Sequence, residues 1–272
     1  MKGKLKGDTL NKRNLISTLT IIILGYFIGS GFYISQDTQA AITTQGRVCS
    51  PVHFADDNLE KQIRETLRKP GGDLNNCEML SITLLFLWFN DIQSLDGIEA
   101  LTNLSILIAA GNKISDISPL SNLKALTVLN LNENNISDIS PLSNLTKLMV
   151  IGLGKNEVTD LSPLSELPEL DILTLFDNNI SDISPLSNLT KLTRLLLNDN
   201  NINNISALSN LTEMVLFGVS NNHILDISPL SGMKNLTRVE LLENAFSPND
   251  NACTTIIPAL ENRQVEVLEN NC

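Results

Sequence analysis

Ile180-Ser181-Asp182-Ile183-Ser184-Pro185-Leu186-Ser187-Asn188-Leu189 decides the reading, because the chain repeats it. The same residues stand at 114–123 and 136–145, and close variants fill the neighbouring intervals. Two places ahead of each copy is an Asn. That Asn recurs at Asn90, Asn112, Asn134, Asn156, Asn178, Asn200, Asn222 and Asn244, every 22 residues without a slip. Two places after it stand Ile92, Ile114, Ile136, Val158, Ile180, Ile202, Ile224 and Phe246. Five and three places before it are apolar residues, such as Leu129 and Leu131 or Leu195 and Leu197.

The unit, L-x-x-L-x-x-L-x-L-x-x-N-x-I-S-D-I-S-P-L-S-N, is a leucine-rich repeat in its 22-residue form. L-x-L is a short strand whose two Leu point inward. The Asn bends the chain out of the strand, and its buried amide bonds backbone groups of its own and adjacent coils. Ser-Pro-Leu suits a turn or short 3₁₀ segment on the outer side, where Pro has no donor to lose. One coil cannot bury its own Leu set, so stacking must supply the core. The fold expected is an α/β repeat solenoid, a leucine-rich-repeat horseshoe or arc. It has about eight coils, a parallel concave sheet roughly 35–40 Å long, a helical amino-terminal cap and disulfide-capped ends.

Composition agrees. The 272 residues include 47 Leu and 33 Asn but only 4% aromatics, as a core of stacked Leu and Ile layers requires. Nineteen Lys+Arg against 30 Asp+Glu, net -11, exclude a basic nucleic-acid binder. The skew argues against collagen, a mucin-like stalk or a disordered chain.

Lys2, Lys4, Lys6, Lys12 and Arg13 precede an uncharged run from Leu15 to Ile34. A basic flank before an apolar stretch directs export. The run suits both a cleaved signal, with Thr38-Gln39-Ala40 as cleavage site, and an uncleaved membrane tether through 15–34. Either way the protein is expected outside the cytoplasm, in the periplasm or at the cell exterior. Residues 41–272 carry 14 basic and 28 acidic side chains.

The four cysteines lie outside the array: Cys49 and Cys77 before it, Cys253 and Cys272 after it. Three pairings are possible; pairing within each cap is the simplest, and an exported chain can keep disulfides. Asp56 to Leu67 reads as an amphipathic helix with Leu59, Ile63 and Leu67 on one face, stopped by Pro70-Gly71-Gly72. Thr254 to Arg263 reads as a short helix and Gln264 to Leu268 as a final strand. The expected divisions are a signal or anchor at 1–40, a cap at 41–79, repeats at 80–246 and a second cap at 247–272.

On the cap motif Phe54-Ala55-Asp56-Asp57-Asn58-Leu59-Glu60 and the repeated N-x-I-S-D-I-S-P-L-S-N-L, residues 49–272 resemble bacterial internalin-type leucine-rich-repeat proteins. The resemblance implies a concave strand face that binds proteins, often host receptors. The sequence departs from the family pattern in lacking a cell-wall sorting motif, an immunoglobulin-like inter-repeat domain and a carboxy-terminal module, and in having Cys pairs in both caps. It therefore implies fold and mode of use rather than host invasion.

A partner would meet the strand residues that face away from the core, six, four, two and one places before each Asn. The candidates are Phe86, Trp88, Phe89, Ile108, Asn132, Glu133, Phe176, Asp177, Arg194, Leu196, Asn198, Asp199, Arg238 and Glu240. The only Trp, Trp88, stands between Phe86 and Phe89, either as an exposed anchor or covered by the cap. Glu133, Asp177, Asp199 and Glu243 form an acidic line that selects a basic partner or keeps the surface soluble. Gly152, Gly154 and Gly218 are expected to leave shallow places in the sheet for a partner side chain. The Asp of each I-S-D-I recurs with the frame and reads as a turn residue rather than a calcium ladder. Sequons such as Asn144-Leu145-Thr146 read as by-products of the repeat. With two His and no triad, metal spacing or phosphate loop, no catalysis, metal or cofactor is expected. The expectation is a monomeric, non-catalytic exported protein that binds a protein partner. The alternative is a periplasmic or envelope scaffold that regulates an enzyme such as a phosphatase.

Overall fold

The computed structural model describes residues 48–269 and Cys272. The amino-terminal signal-or-anchor stretch lies outside the described residues. Among the described residues no helix is long and apolar enough to cross a membrane.

Each coil contributes one three-residue strand: β1 (Leu84–Phe86), β2 (Ile106–Ile108), β3 (Val128–Asn130), β4 (Val150–Gly152), β5 (Ile172–Thr174), β6 (Arg194–Leu196), β7 (Leu216–Gly218) and β8 (Arg238–Glu240). With β9 (Glu266–Leu268) they form one parallel sheet in chain order. The register aligns the middle residues Leu85, Leu107, Leu129, Ile151, Leu173, Leu195, Phe217 and Val239, and all are buried. Side chains alternate across a strand, so the residues on either side face outward from the core. The ninth strand is the terminal strand anticipated at Gln264 to Leu268. It closes a longer coil: Arg238 and Glu266 are 28 residues apart, against 22 between equivalent residues of the regular coils. The added length holds a π-helical turn (Ala252–Ile256) that runs into α3 (Ile257–Glu261), where a single helix was expected.

The repeating Asn works as a reciprocal bracket. The Nδ2 of Asn156 donates to the carbonyl of Leu153 in its own coil and of Leu131 in the coil before, both at 3.0 Å. Its Oδ1 accepts from Ile136 N at 3.0 Å. Asn134, Asn178, Asn200 and Asn222 repeat the pattern. Removing the amide would orphan buried backbone groups at about 1–3 kcal/mol each. On the outer side Ser-Pro-Leu forms 3₁₀ turns, as in Ser118–Leu120, Ser140–Leu142 and Ser184–Leu186. The Asp two places ahead fixes each turn. Asp116, Asp138, Asp160, Asp182 and Asp226 accept from the Ser backbone N–H at 2.8 Å and from its hydroxyl. At Asp160 the Ser162 N–H, then its hydroxyl, hold the carboxyl below its ordinary value.

The first cap covers the open end of the core with α1 (Asp57–Leu67) and a single turn, α2 (Asn76–Met79). Leu59 and Ile63 are buried and Leu67 is partly buried against the core. Asn75 and Glu78 close a capping box on α2. Both disulfides are local to their caps: Cys49–Cys77, with Cα atoms 5.5 Å apart, and Cys253–Cys272, at 5.2 Å.

Asp56 fastens this cap to the first coil. One carboxylate oxygen caps α1, accepting from Asn58 N and Leu59 N at 2.9 and 3.1 Å. The other accepts from Gln93 N and Ser94 N at 2.7 and 3.3 Å, in the turn after the first Asn. Partial burial works against its charge, but the four donors, Gln93 foremost, outweigh it and hold the acid below its ordinary value.

Candidate protein-binding face

The outward residues of the sheet fall into columns, and the columns differ in what they expose. Six places before the Asn, Ile106, Val128, Val150 and Ile172 stack along the sheet and are buried by one another. Among the candidates, Ile108 and Asn132 are also buried, at 4% and 6% exposure. The Oδ1 of Asn132 accepts from Gly154 N at 2.6 Å and so stitches its coil to the next, while the Oδ1 of Asn130 accepts from Asn132 N at 3.0 Å within its own coil. The middle of the face, from β2 to β4, is thus flush and satisfied internally.

The ends of the face are different. Phe86, Trp88 and Phe89 are 54%, 44% and 60% exposed, so the amino-terminal cap leaves them open. Phe86 and Trp88 meet edge to face with centroids 5.8 Å apart. Phe89 has φ 51°, in the left-handed region. This is a property of the repeat: the residue before the Asn is left-handed at Glu133, Lys155, Asp177, Asp199, Asn221 and Glu243, and at Gly111. Those coils meet the requirement with polar residues or glycine; coil one spends it on an aromatic ring.

The glycines are not the empty places expected from the sequence. A Cβ at Gly154 would lie 2.3 Å from the Phe176 ring, and one at Gly111 would lie 2.2 Å from that of Phe89. The space at Gly152 is taken by the Asn130 amide, and that at Gly218 by Leu196 and Asn198. Each glycine is a seat for a neighbouring side chain, which fills the hollow before any partner could.

From β5 onward the face is polar and half-open. Phe176, Arg194, Leu196, Asn198, Arg238 and Glu240 are half-buried, and Asp177 and Asp199 are exposed. Several charges are already engaged. Lys155 pairs with Glu133 at 2.8 Å, and Arg238 with Glu240 and Glu266 at 3.0 and 3.2 Å. Asn198 donates to Glu240 at 3.0 Å, and Asp199 accepts from Asn221 at 2.6 Å. Sequence reasoning missed these links because all but Arg238–Glu240 join residues one or more coils apart. Asp56 was read as the start of a helix and as part of the cap motif, but its reach to the turn after the first Asn was not. Among the described residues no group of three His, Cys, Asp or Glu could hold a metal ion.

A sheet-faced stack of 22-residue coils under a helical cap defines a leucine-rich-repeat solenoid. A family model for leucine-rich repeats, two copies, matches residues 81–122 and 124–166. An internalin (inlF) of Listeria monocytogenes is 33% identical with a TM-score of 0.73, the match covering 82% of this chain and 71% of that one. Internalin C2 (inlC2) of the same organism is 29% identical at a TM-score of 0.75, over 82% of this chain and 97% of that one. The ectodomain of the Arabidopsis thaliana receptor kinase GASSHO1/SCHENGEN3 shares the fold at 21% identity and a TM-score of 0.56, over 69% of this chain and 23% of that one. No curated protein matches the chain by sequence. The chain belongs to the internalin family. It is a non-catalytic leucine-rich-repeat module for protein recognition, and the family accords with an exported, surface-associated protein.

Proposed function

We propose that the protein binds its partner through the sheet face, with the contact anchored on Phe86, Trp88 and Phe89 and continued over Phe176, Asp177, Arg194, Leu196, Asn198 and Asp199. The exposed aromatic cluster carries this reading. In a chain with 4% aromatics, three aromatic side chains stand open together on the first coil. Aromatic anchors of this kind dominate the energetics of protein interfaces. Phe89 adds support, since a left-handed backbone under a bulky residue is unfavourable and the other coils avoid it. The exported location rests on the basic and apolar amino-terminal stretch, on cysteines paired in both caps, and on the family. The divisions that follow are a leader or anchor at 1–40, a cap at 41–79, repeats at 80–246 and a carboxy-terminal cap at 247–272.

The test is a pull-down from the surroundings of the source cell with wild-type protein and with Trp88→Ala plus Phe176→Ala. Loss of the captured protein, with the melting curve unchanged, is the expected outcome. If every captured partner survives the double change, the sheet face is not the binding surface.

A further inference from the structure

Four basic side chains lie on or beside the sheet face among the described residues: Lys113, Lys155, Arg194 and Arg238. Three are committed. Lys113 pairs with Asp91 at 2.7 Å, Lys155 with Glu133, and Arg238 with Glu240 and Glu266. The Arg194 guanidinium alone makes no hydrogen bond or ion pair; the residue is held only through its backbone. The frame does not ask for it. The same column holds Leu84, Ile106, Val128, Val150, Ile172 and Leu216, with a second arginine, Arg238, at its far end, and the register sets Arg194 between Ile172 and Leu216. A half-buried guanidinium flanked by aliphatic side chains attracts an anion more strongly than it would in water. Its planar fork of donors also matches a carboxylate. One strand away, Thr174 lies opposite Leu196, two residues along from Arg194. Its hydroxyl is 97% buried by residue exposure and has no hydrogen-bond partner, an uncommon state in a native protein. Two polar groups in one part of the face are thus left uncommitted.

We infer that Arg194 receives a carboxylate of the protein partner, borne next to an apolar side chain that packs on Leu196 and Leu216. This rests on the sheet-face reading above. It also settles which sign of charge the face selects at this point. In the acidic line, Glu133 is held by Lys155 and Asp199 by Asn221, so those acids are partly spent. The Asp177 carboxylate is uncommitted and stands beyond the end of β5, away from Arg194's column. It repels an acidic group there, and so orients the partner segment with its carboxylate over Arg194.

The probe is a random peptide library displayed on phage and selected on the full-length chain. Clones are re-measured against Arg194→Leu, Trp88→Ala and Phe176→Ala. Leu is native to the same column at Leu84 and Leu216, so Arg194→Leu keeps the frame. The expected clones carry Asp or Glu beside a large apolar residue. They should lose about tenfold or more in affinity on Arg194→Leu, and the same amount when the peptide acid becomes its amide, with no further loss when both changes are combined. Clones that weaken on Trp88→Ala or Phe176→Ala but are basic, or indifferent to Arg194→Leu, overturn this inference and leave the sheet-face reading standing. Clones indifferent to all three changes overturn both.

Discussion

Phe89 shows how a single residue can serve recognition against the preference of its backbone. Its position is left-handed in coil after coil, and an L-residue other than Gly, Asn or Asp adopts that shape at a cost of about 1–2 kcal/mol. Phe89→Asn supplies a residue suited to that conformation, as Asn221 does six coils on. The expected result is a melting temperature held or raised, with partner binding weakened. A fall of several degrees would mean instead that the ring seated on Gly111 is part of the frame. The period of the sequence marks this position, yet nothing in it distinguishes a frame residue from a contact residue. Gly154 makes the same point in reverse: as a letter it promised a hollow, and the Phe176 ring from the next coil fills it. What covers what depends on side chains 22 residues away, and a linear reading cannot orient them.

At the scale of the element, the amino-terminal cap depends on the double role of Asp56. Asn is as good a helix cap as Asp, so Asp56→Asn preserves the start of α1. It replaces the oxygen that accepts from Gln93 and Ser94 with a donor. We expect a loss of about 1–3 kcal/mol at neutral pH, read by chemical denaturation. The wild-type acid is held below its ordinary value. Its contribution is therefore complete above the unfolded value of about 3.9 and lost as pH falls through the lower folded value. The gap between wild type and variant should close in acid; a gap that stays constant would place the effect elsewhere. The helix itself was plain from the spacing of Leu59, Ile63 and Leu67 and from its Pro-Gly-Gly stop. Its attachment was not, because Asp56 and Gln93 are 37 residues apart.

For the whole molecule, the period carries nearly everything. Strand, buried Asn, turn and core layer each have a residue of their own in the 22-residue unit, so coil stacking and register could be read from letters alone. The carboxy-terminal coil breaks the period and was only partly anticipated: its strand was expected, its π-helical turn was not. A stack has two ends, and here each is closed by a covalent loop. Native disulfides typically contribute about 2–4 kcal/mol each. Reductant should therefore lower the melting temperature, with the loss beginning at the ends of the stack. An unchanged melting curve in reductant would show that the caps stand without their bonds.

The Asn bracket has a direction. From Asn134 to Asn222 the side-chain amide binds backbone groups of its own coil and of the coil before it. A coil is therefore finished by its successor. On a ribosome, where the chain emerges from its amino terminus, the cap and coil one come first, and each later coil arrives to complete a surface already waiting. A chain cut short within the array would always end on a coil with open backbone groups. The long ninth coil carries the same succession one step further: its Leu268 carbonyl accepts from Leu241 N at 2.7 Å and so pairs a backbone group of coil eight.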